Sequence, residues 1–174
     1  LLSCFRCAIG ARADGLGSTI CQPCQAGEYG VDCDKCPQGW FRHGSNADVS
    51  RCTTCSVGQY QDTLGSSACT KCIPGSFQAS IGQISCQACS INTFTAVSAS
   101  KKCNLCPTGR TSPEGSVQCS ECKTGSVRTT TPHEDEFTCV NCEPGRFAQA
   151  GDVSCSPCDA GFYQTQTGMG ACEA

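Results

Sequence analysis

Cysteines in this chain come in Cys-x-x-Cys pairs at a nearly constant interval. The pairs are Cys4/Cys7, Cys21/Cys24, Cys33/Cys36, Cys52/Cys55, Cys69/Cys72, Cys86/Cys89, Cys103/Cys106, Cys119/Cys122, Cys139/Cys142 and Cys155/Cys158, and Cys172 opens an eleventh. Successive pairs begin 17, 12, 19, 17, 17, 17, 16, 20, 16 and 17 residues apart. A sustained period of this kind means that each repeat is one small unit, stabilised by its neighbours.

A second regularity is independent of cysteine. Three residues after each pair stand Gly10, Gly27, Gly39, Gly58, Gly75, Asn92, Gly109, Gly125, Gly145 and Gly161. Glycine and asparagine are the residues that best tolerate positive φ. The lone Asn points to a left-handed turn rather than to a need for small size. Two residues further on, an aromatic is usual: Tyr29, Phe41, Tyr60, Phe77, Phe94, Phe147 and Tyr163, with Arg12, Thr111 and Val127 as exceptions. Four residues before the next pair, Gly returns at 17, 65, 82, 115, 151 and 168, and Asp48 and Asp135 take that place twice. A unit reads as pair, turn, aromatic, short extended stretch, turn, next pair. That is a small β-hairpin or looped ladder, and no helical period is present anywhere.

Composition says what must hold such units. Leu, Ile, Val and Phe make up 26 of 174 residues. That is about 15 %, below the ~20 % at which a chain buries enough apolar surface to fold unaided. Each aromatic is expected to lie over a disulfide rather than build a globular core. Cysteine, at 21 of 174 residues, is the remaining source of stability. Disulfides at this density imply an extracellular or cell-surface setting reached through the secretory pathway. Leu1-Leu2-Ser3-Cys4 has no signal-peptide character, so the chain reads as a window of a longer protein, with any leader or anchor outside it. No apolar run approaches the ~20 residues of a membrane helix. A net charge of −3 with no basic patch argues against nucleic acid.

The segment Cys69-Thr-Lys-Cys72-Ile-Pro74-Gly75-Ser-Phe77, followed by Gly82 and Cys86-Gln-Ala-Cys89, resembles the cysteine-rich ephrin-receptor-like repeat. Cys142-Glu-Pro144-Gly145-Arg-Phe147 before Cys155 repeats the pattern, and it is also similar to tumour-necrosis-factor-receptor modules. The resemblance spans nearly the whole chain. It implies a small disulfide-rich fold and occurs in receptor ectodomains, matrix-like proteins and surface or flagellar-hair proteins.

Connectivity for this many cysteines is open from sequence. The scheme that looks the same in every unit joins the second Cys of one pair to the first of the next. It gives Cys7–Cys21, Cys24–Cys33, Cys36–Cys52, Cys55–Cys69, Cys72–Cys86, Cys89–Cys103, Cys106–Cys119, Cys122–Cys139, Cys142–Cys155 and Cys158–Cys172, leaving Cys4 to pair upstream. The rival crosses two pairs, as in Cys69–Cys86 with Cys72–Cys89, and implies a double period that the spacings do not display.

Zinc is the chemical rival, since paired Cys-x-x-Cys at this separation is a zinc-ribbon spacing. An acidic chain rich in Ser, Thr, Gln and Gly suits that reading poorly, and no metal or other cofactor is expected. No phosphate loop, Gly-x-Ser-x-Gly or calcium-loop motif is present, and His43 and His133 have no partner pattern. An enzyme reading therefore has no supporting residues. His133-Glu134-Asp135-Glu136 forms an acidic tip on the longest loop, and Thr129-Thr130-Thr131-Pro132 is a candidate O-glycan segment.

These observations predict residues 1–174 to be a single tandem array: an elongated rod of short hairpins with a possible kink at 24–36 and no deep ligand cavity. The expected role is structural or adhesive, a subunit of a surface or filamentous assembly that binds copies of itself or other chains, with a flagellar hair as a special case. The alternatives are a ligand-binding stalk of a receptor ectodomain and a tandem zinc-ribbon protein. Small-angle scattering tests the rod. A compact chain of this length has a radius of gyration near ~16 Å. A rod is expected to give nearly twice that value.

Overall fold

A computed structural model describes residues 6–45, 48–130 and 137–174, without the side chains of 129–130 and 137–138. The Thr131–Glu136 portion of the long loop and Cys4 lie outside the described residues. Among the described residues there is no helix, and every sheet is a two-stranded antiparallel hairpin. The residues form two compact units. One comprises Leu1–Ile73, Phe77–Gln87 and Ser98–Lys101, the other Pro74–Ser76, Ala88–Val97 and Lys102–Ala174.

Each hairpin pairs the two residues after the turn with the x-x of the next Cys-x-x-Cys. In the first unit Glu28–Tyr29 pairs Asp34–Lys35, Trp40–Phe41 pairs Thr53–Thr54, and Gln59–Tyr60 pairs Thr70–Lys71. In the second, Thr93–Phe94 pairs Asn104–Leu105, Arg110–Thr111 pairs Ser120–Glu121, and Arg146–Phe147 pairs Ser156–Pro157. The two longest strands, Ser126–Thr130 and Phe137–Asn141, flank the longest loop. Two-residue strands are marginal alone, so the disulfide that brackets each hairpin is what makes it persist.

Ten disulfides do so. They join Cys7–Cys21, Cys24–Cys33, Cys36–Cys52, Cys55–Cys69 and Cys72–Cys86 in the first unit. In the second they join Cys89–Cys103, Cys106–Cys119, Cys122–Cys139, Cys142–Cys155 and Cys158–Cys172. The crossed scheme is not adopted. These twenty sulfurs are bonded to each other, so none remains a thiolate for the zinc-ribbon alternative.

Gly10, Gly27, Gly39, Gly58, Gly75, Asn92, Gly109, Gly125, Gly145 and Gly161 all have φ between 62° and 92°. The peptide groups at this position work in two directions. The carbonyl of Gly39 accepts from Cys55 N at 2.8 Å and closes its own hairpin, while its N–H donates to Gln61 O at 2.7 Å in the next repeat. Two further bonds cross to that repeat: Arg42 N to Ser66 O at 3.2 Å and Gly65 N to Cys36 O at 2.8 Å. The triplet recurs as Gly58 to Gln78, Gln61 to Gln83 and Gly82 to Cys55 in the first unit. It recurs as Asn92 to Ser112, Thr95 to Ser116 and Gly115 to Cys89 in the second. Backbone groups that a short hairpin leaves unpaired are thus satisfied by the neighbouring repeat.

Packing reaches one repeat further. A Cβ added to Gly39 would lie 2.1 Å from Gly82 O, and one added to Gly58 would lie 2.1 Å from Ala99 O. In the second unit Gly75 faces Gly115 O at 2.1 Å and Gly125 faces Gly168 O at 1.9 Å. The turns at Gly27, Gly39, Gly58, Gly75, Gly109 and Gly125 therefore sit under a carbonyl two repeats on, while those at Gly145 and Gly161 do not. This corrects the inference drawn from the lone Asn, because glycine is required here for space as well as for φ. Asn92 keeps a side chain at this place, buried, with its Oδ1 accepting from Thr111 Oγ1. Ala99 fills a second-glycine position overlooked in the sequence and carries φ 58°.

The interior is polar. The second Cys of most pairs is buried, and so is the residue six positions after it: Arg42, Gln61, Gln78, Thr95, Ser112, Ala148 and Gln164. The repeat aromatics are only half-buried, and Tyr163 is 52 % exposed. Gln78 illustrates the role. Its Nε2 donates to Ser85 O at 2.7 Å and its Oε1 accepts from Ser80 N at 3.0 Å, bracing the loop from inside. Gln61 and Gln164 make the same pair of bonds, to Ala68 O and Thr63 N and to Ala171 O and Gln166 N. Among the described residues, an apolar cluster of Val127, Cys142, Ala148 and Cys155 lies beside the longest hairpin.

Arginine takes this position at two places, buried at Arg42 and half-buried at Arg128. Arg42 Nη2 donates to Cys24 O at 3.2 Å and to Gln25 O at 2.7 Å, and its Nε donates to Glu28 O. Arg128 Nη1 donates to Cys106 O at 3.0 Å and Pro107 O at 2.8 Å. In the regular repeats the second-Cys carbonyl takes the N–H of the following repeat's second glycine. Where the sequence has Asp48 and Asp135 at that place, a guanidinium donates to the same carbonyl. The eight-residue loop between Cys24 and Cys33 keeps the backbone pattern, with Gly27 N to Arg42 O at 2.8 Å and Gly30 N to Val49 O at 2.9 Å.

Two outcomes follow for unfolding measured with disulfides intact. A methyl group added at Gly145 would meet nothing within 4 Å, whereas one added at Gly75 would meet backbone at 2.1 Å. Gly145→Ala is expected to cost ~1–2 kcal/mol from φ alone, and Gly75→Ala a further ~1–3 kcal/mol from overpacking. Arg42→Gln strips the Cys24, Gln25 and Glu28 carbonyls of a charged donor and is expected to cost ~2–3 kcal/mol. Arg42→Lys, lacking the planar fork, recovers only part of that loss.

Candidate partner-binding groove

Repeats two and three are the pair in which the spacing departs most from 17, with intervals of 12 and 19. Their hairpins, Glu28–Tyr29 with Asp34–Lys35 and Trp40–Phe41 with Thr53–Thr54, lie in the first compact unit. Side chains alternate faces along a strand. Phe41 is accordingly half-buried while Trp40, the chain's single Trp, is 39 % exposed. The place of Trp40 in other repeats is taken by Ala11, Glu28, Gln59, Ser76, Thr93, Arg110, Ser126, Arg146 and Phe162.

Tyr29, Pro37, Trp40, Arg51 and Cys52 enclose an open-sided groove of about 450 Å³. The groove is open to one side, so it is a surface feature and not the deep cavity that thin repeats are expected to lack. Tyr29 comes from the short second repeat, and Pro37, Trp40, Arg51 and Cys52 from the long third one and its boundary. Its walls are mainly apolar. A smaller cleft of about 180 Å³, near Phe147 and Phe162, lies in the second unit.

Arg51 stands at the groove with its side chain 81 % exposed, held at 2.8 Å by Asp48 Oδ2. Asp48 Oδ1 also accepts from Ser50 N at 3.0 Å and from Ser50 Oγ at 2.5 Å. The Ser50 hydroxyl first, then the Ser50 amide and Arg51, hold the Asp48 carboxyl below its ordinary value of 3.8. The clasp on Arg51 is therefore intact at neutral pH and is released as pH falls through that lowered value. Below the groove, the buried Arg42 ties Cys24, Gln25 and Glu28 together and fixes the segment from which Tyr29 projects.

The residues singled out in the sequence, the cysteines and the left-handed turns, form the frame and not the groove, apart from Cys52. Trp40, Pro37 and Arg51 were not selected by the repeat pattern. The available signal was deviation: one Trp in the chain, at a position otherwise mostly polar, beside the shortest interval and a long one. The acidic tip at Glu134-Asp135-Glu136 and the threonine-rich segment before Pro132 fall outside the described residues or have undescribed side chains. Among the described residues no group of His, Cys, Asp and Glu is arranged to hold a metal ion, and no helix is long and apolar enough to cross a membrane.

The family model of tyrosine-protein kinase ephrin type A/B receptor-like repeats matches residues 43–82, 75–114 and 145–174. No curated protein matches the chain. The matched segments cover more than half of the chain, and they coincide with repeats built on one disulfide, one hairpin and one left-handed turn. The chain belongs to the ephrin-receptor-like family of cysteine-rich repeats.

Proposed function

We propose that this chain is part of an extracellular, non-enzymatic scaffold, a receptor-type or adhesive ectodomain that works by engaging protein partners. Ephrin-receptor-like repeats joined by ten disulfides are the make-up of extracellular or secreted proteins. The observation that carries the binding role is the groove at Tyr29, Pro37, Trp40 and Arg51. Trp, Tyr and Arg are the residues that dominate protein-recognition surfaces, and here they converge on one irregular place in an otherwise repetitive frame. Reading the scaffold as a filament or flagellar-hair subunit that binds copies of itself is a narrower form of the same proposal, supported by the repeat architecture alone.

Two measurements on the oxidised chain test the reading. Labelled protein is expected to bind intact cells saturably, and mild surface proteolysis of those cells is expected to remove the binding. Sedimentation over a range of concentrations reports self-association, the expectation for an assembly subunit. A chain that neither binds a protease-sensitive surface component nor self-associates would overturn the proposal.

A further inference from the structure

The ten bridges share one connectivity but differ in access. Of the twenty bridged residues Cys139 alone is exposed, and every other is half-buried or buried. A cysteine side chain ends at its sulfur, so at an exposed position that atom is within reach of a thiol in solution. Its partner Cys122 is 1 % exposed. Cys139 is therefore the sulfur that an incoming thiolate can attack. Exposed cystines are the labile, exchange-competent class, whereas buried structural ones resist reduction.

The same bridge is the one its hairpin needs least. The other bridged hairpins have strands of two or three residues. Here Ser126–Thr130 and Phe137–Asn141 pair over five positions, with Arg128 opposite Cys139. That hairpin is also anchored at points outside the bridge. Cys142 N donates to Gly125 O at 2.9 Å, Gly125 N donates to Ala148 O at 2.8 Å, and the Arg128 guanidinium donates to Cys106 O and Pro107 O. Val127 packs with Cys142 and Ala148.

Backbone bonding at Cys122 is the loosest of its kind. Its N–H donates to Gly109 O at 3.3 Å, where the equivalent bonds of Cys24, Cys36, Cys55, Cys72, Cys89, Cys106, Cys142 and Cys158 measure 2.8–2.9 Å. Its carbonyl accepts from Gly151 N at 3.2 Å, against 2.7–2.8 Å at Cys36, Cys55, Cys72, Cys89 and Cys142. Longer bonds are weaker, so less backbone bonding is lost when Cys122 shifts away from Cys139.

We propose that Cys122–Cys139 is a thiol–disulfide exchange site, opened at Cys139 by an external thiol while the hairpin and the other nine bridges stay in place. The attacking thiolate forms a bond to Cys139 Sγ. The Cys122–Cys139 bond breaks, its electron pair goes to Cys122 Sγ, and that sulfur takes a proton from water. A monothiol of the glutathione kind leaves a mixed disulfide on Cys139. A dithiol goes further: its second thiolate attacks its own sulfur in the mixed disulfide and leaves as an internal disulfide. Cys139 then departs as a thiolate and is protonated. Two electrons have passed from the dithiol to the bridge. The site is separate from the groove, and its test does not use the groove.

The oxidised chain, with any thiol already free capped beforehand, is treated with limiting dithiothreitol or with reduced glutathione. The products are alkylated, digested without reduction and mapped by mass. With the dithiol, Cys122 and Cys139 are expected to be labelled about tenfold faster than any other bridged pair. The Gly125 and Cys142 amides are expected to keep their protection from hydrogen exchange. With glutathione, one glutathionyl group is expected on Cys139 and none on Cys122. Reaction at Cys139 with either reagent alone supports the site and identifies its co-reactant as a dithiol or a monothiol. A chain carrying Cys122→Ser and Cys139→Ser is expected to retain nine bridges and to lose the fast phase of labelling. First labelling at any other bridge, the C-terminal Cys158–Cys172 included, would overturn the proposal. So would simultaneous opening of all ten, glutathionylation of Cys122, or loss of amide protection as the bridge opens. The order of labelling in the natural chain decides the matter even if the double variant does not fold.

Discussion

The architecture depends on a left-handed residue wedged beneath backbone. At Gly75, φ is 82° and the carbonyl of Gly115, two repeats away, occupies the space a side chain would need. Its N–H bonds to Thr95 in the next repeat and its carbonyl to Cys89 in its own hairpin. One residue therefore sets the turn, closes the hairpin, joins the next repeat and admits the one beyond. The disulfide serves a different purpose. It limits the unfolded chain, at about 3 kcal/mol for a loop of ~15 residues, and holds each two-residue hairpin long enough for these backbone bonds to form.

With glycine and cystine supplying the frame, the interior needs little hydrocarbon. Buried positions are taken by Gln, Thr, Ser, Asn and Arg. A buried polar group costs stability unless it is paired, and the paired amide of Gln78 shows how that requirement is met. This interior suits a repeat with few large apolar residues. It also leaves many of them outside: Leu16, Ile73 and Leu105 are all largely exposed.

At the two repeats where Asp48 and Asp135 replace the second glycine, Arg42 and Arg128 donate to the carbonyls of Cys24 and Cys106. In the regular repeats a backbone N–H takes that carbonyl. The groove at Trp40 is lined by the short second repeat and the long third one, so the candidate binding site coincides with a departure from periodicity.

Sequence by itself determined the repeat length, the hairpins, the spacing that a cystine ladder needs and the left-handed turns, because each follows from local chain geometry and recurs ten times. It was silent on what lies two repeats away. Gln61, Gln78 and Arg42 look like surface residues in the sequence, with no apolar pattern to mark them, and become interior only when the adjoining repeat covers them. Gly75 looks like a turn residue alone until Gly115 arrives above it. The groove likewise draws its lining from two successive repeats, Tyr29 from one and Pro37, Trp40 and Arg51 from the next. Local conformational preference is written in single residues. Burial, close approach and cavities are properties of neighbours, and only the tertiary structure decides which residues become neighbours.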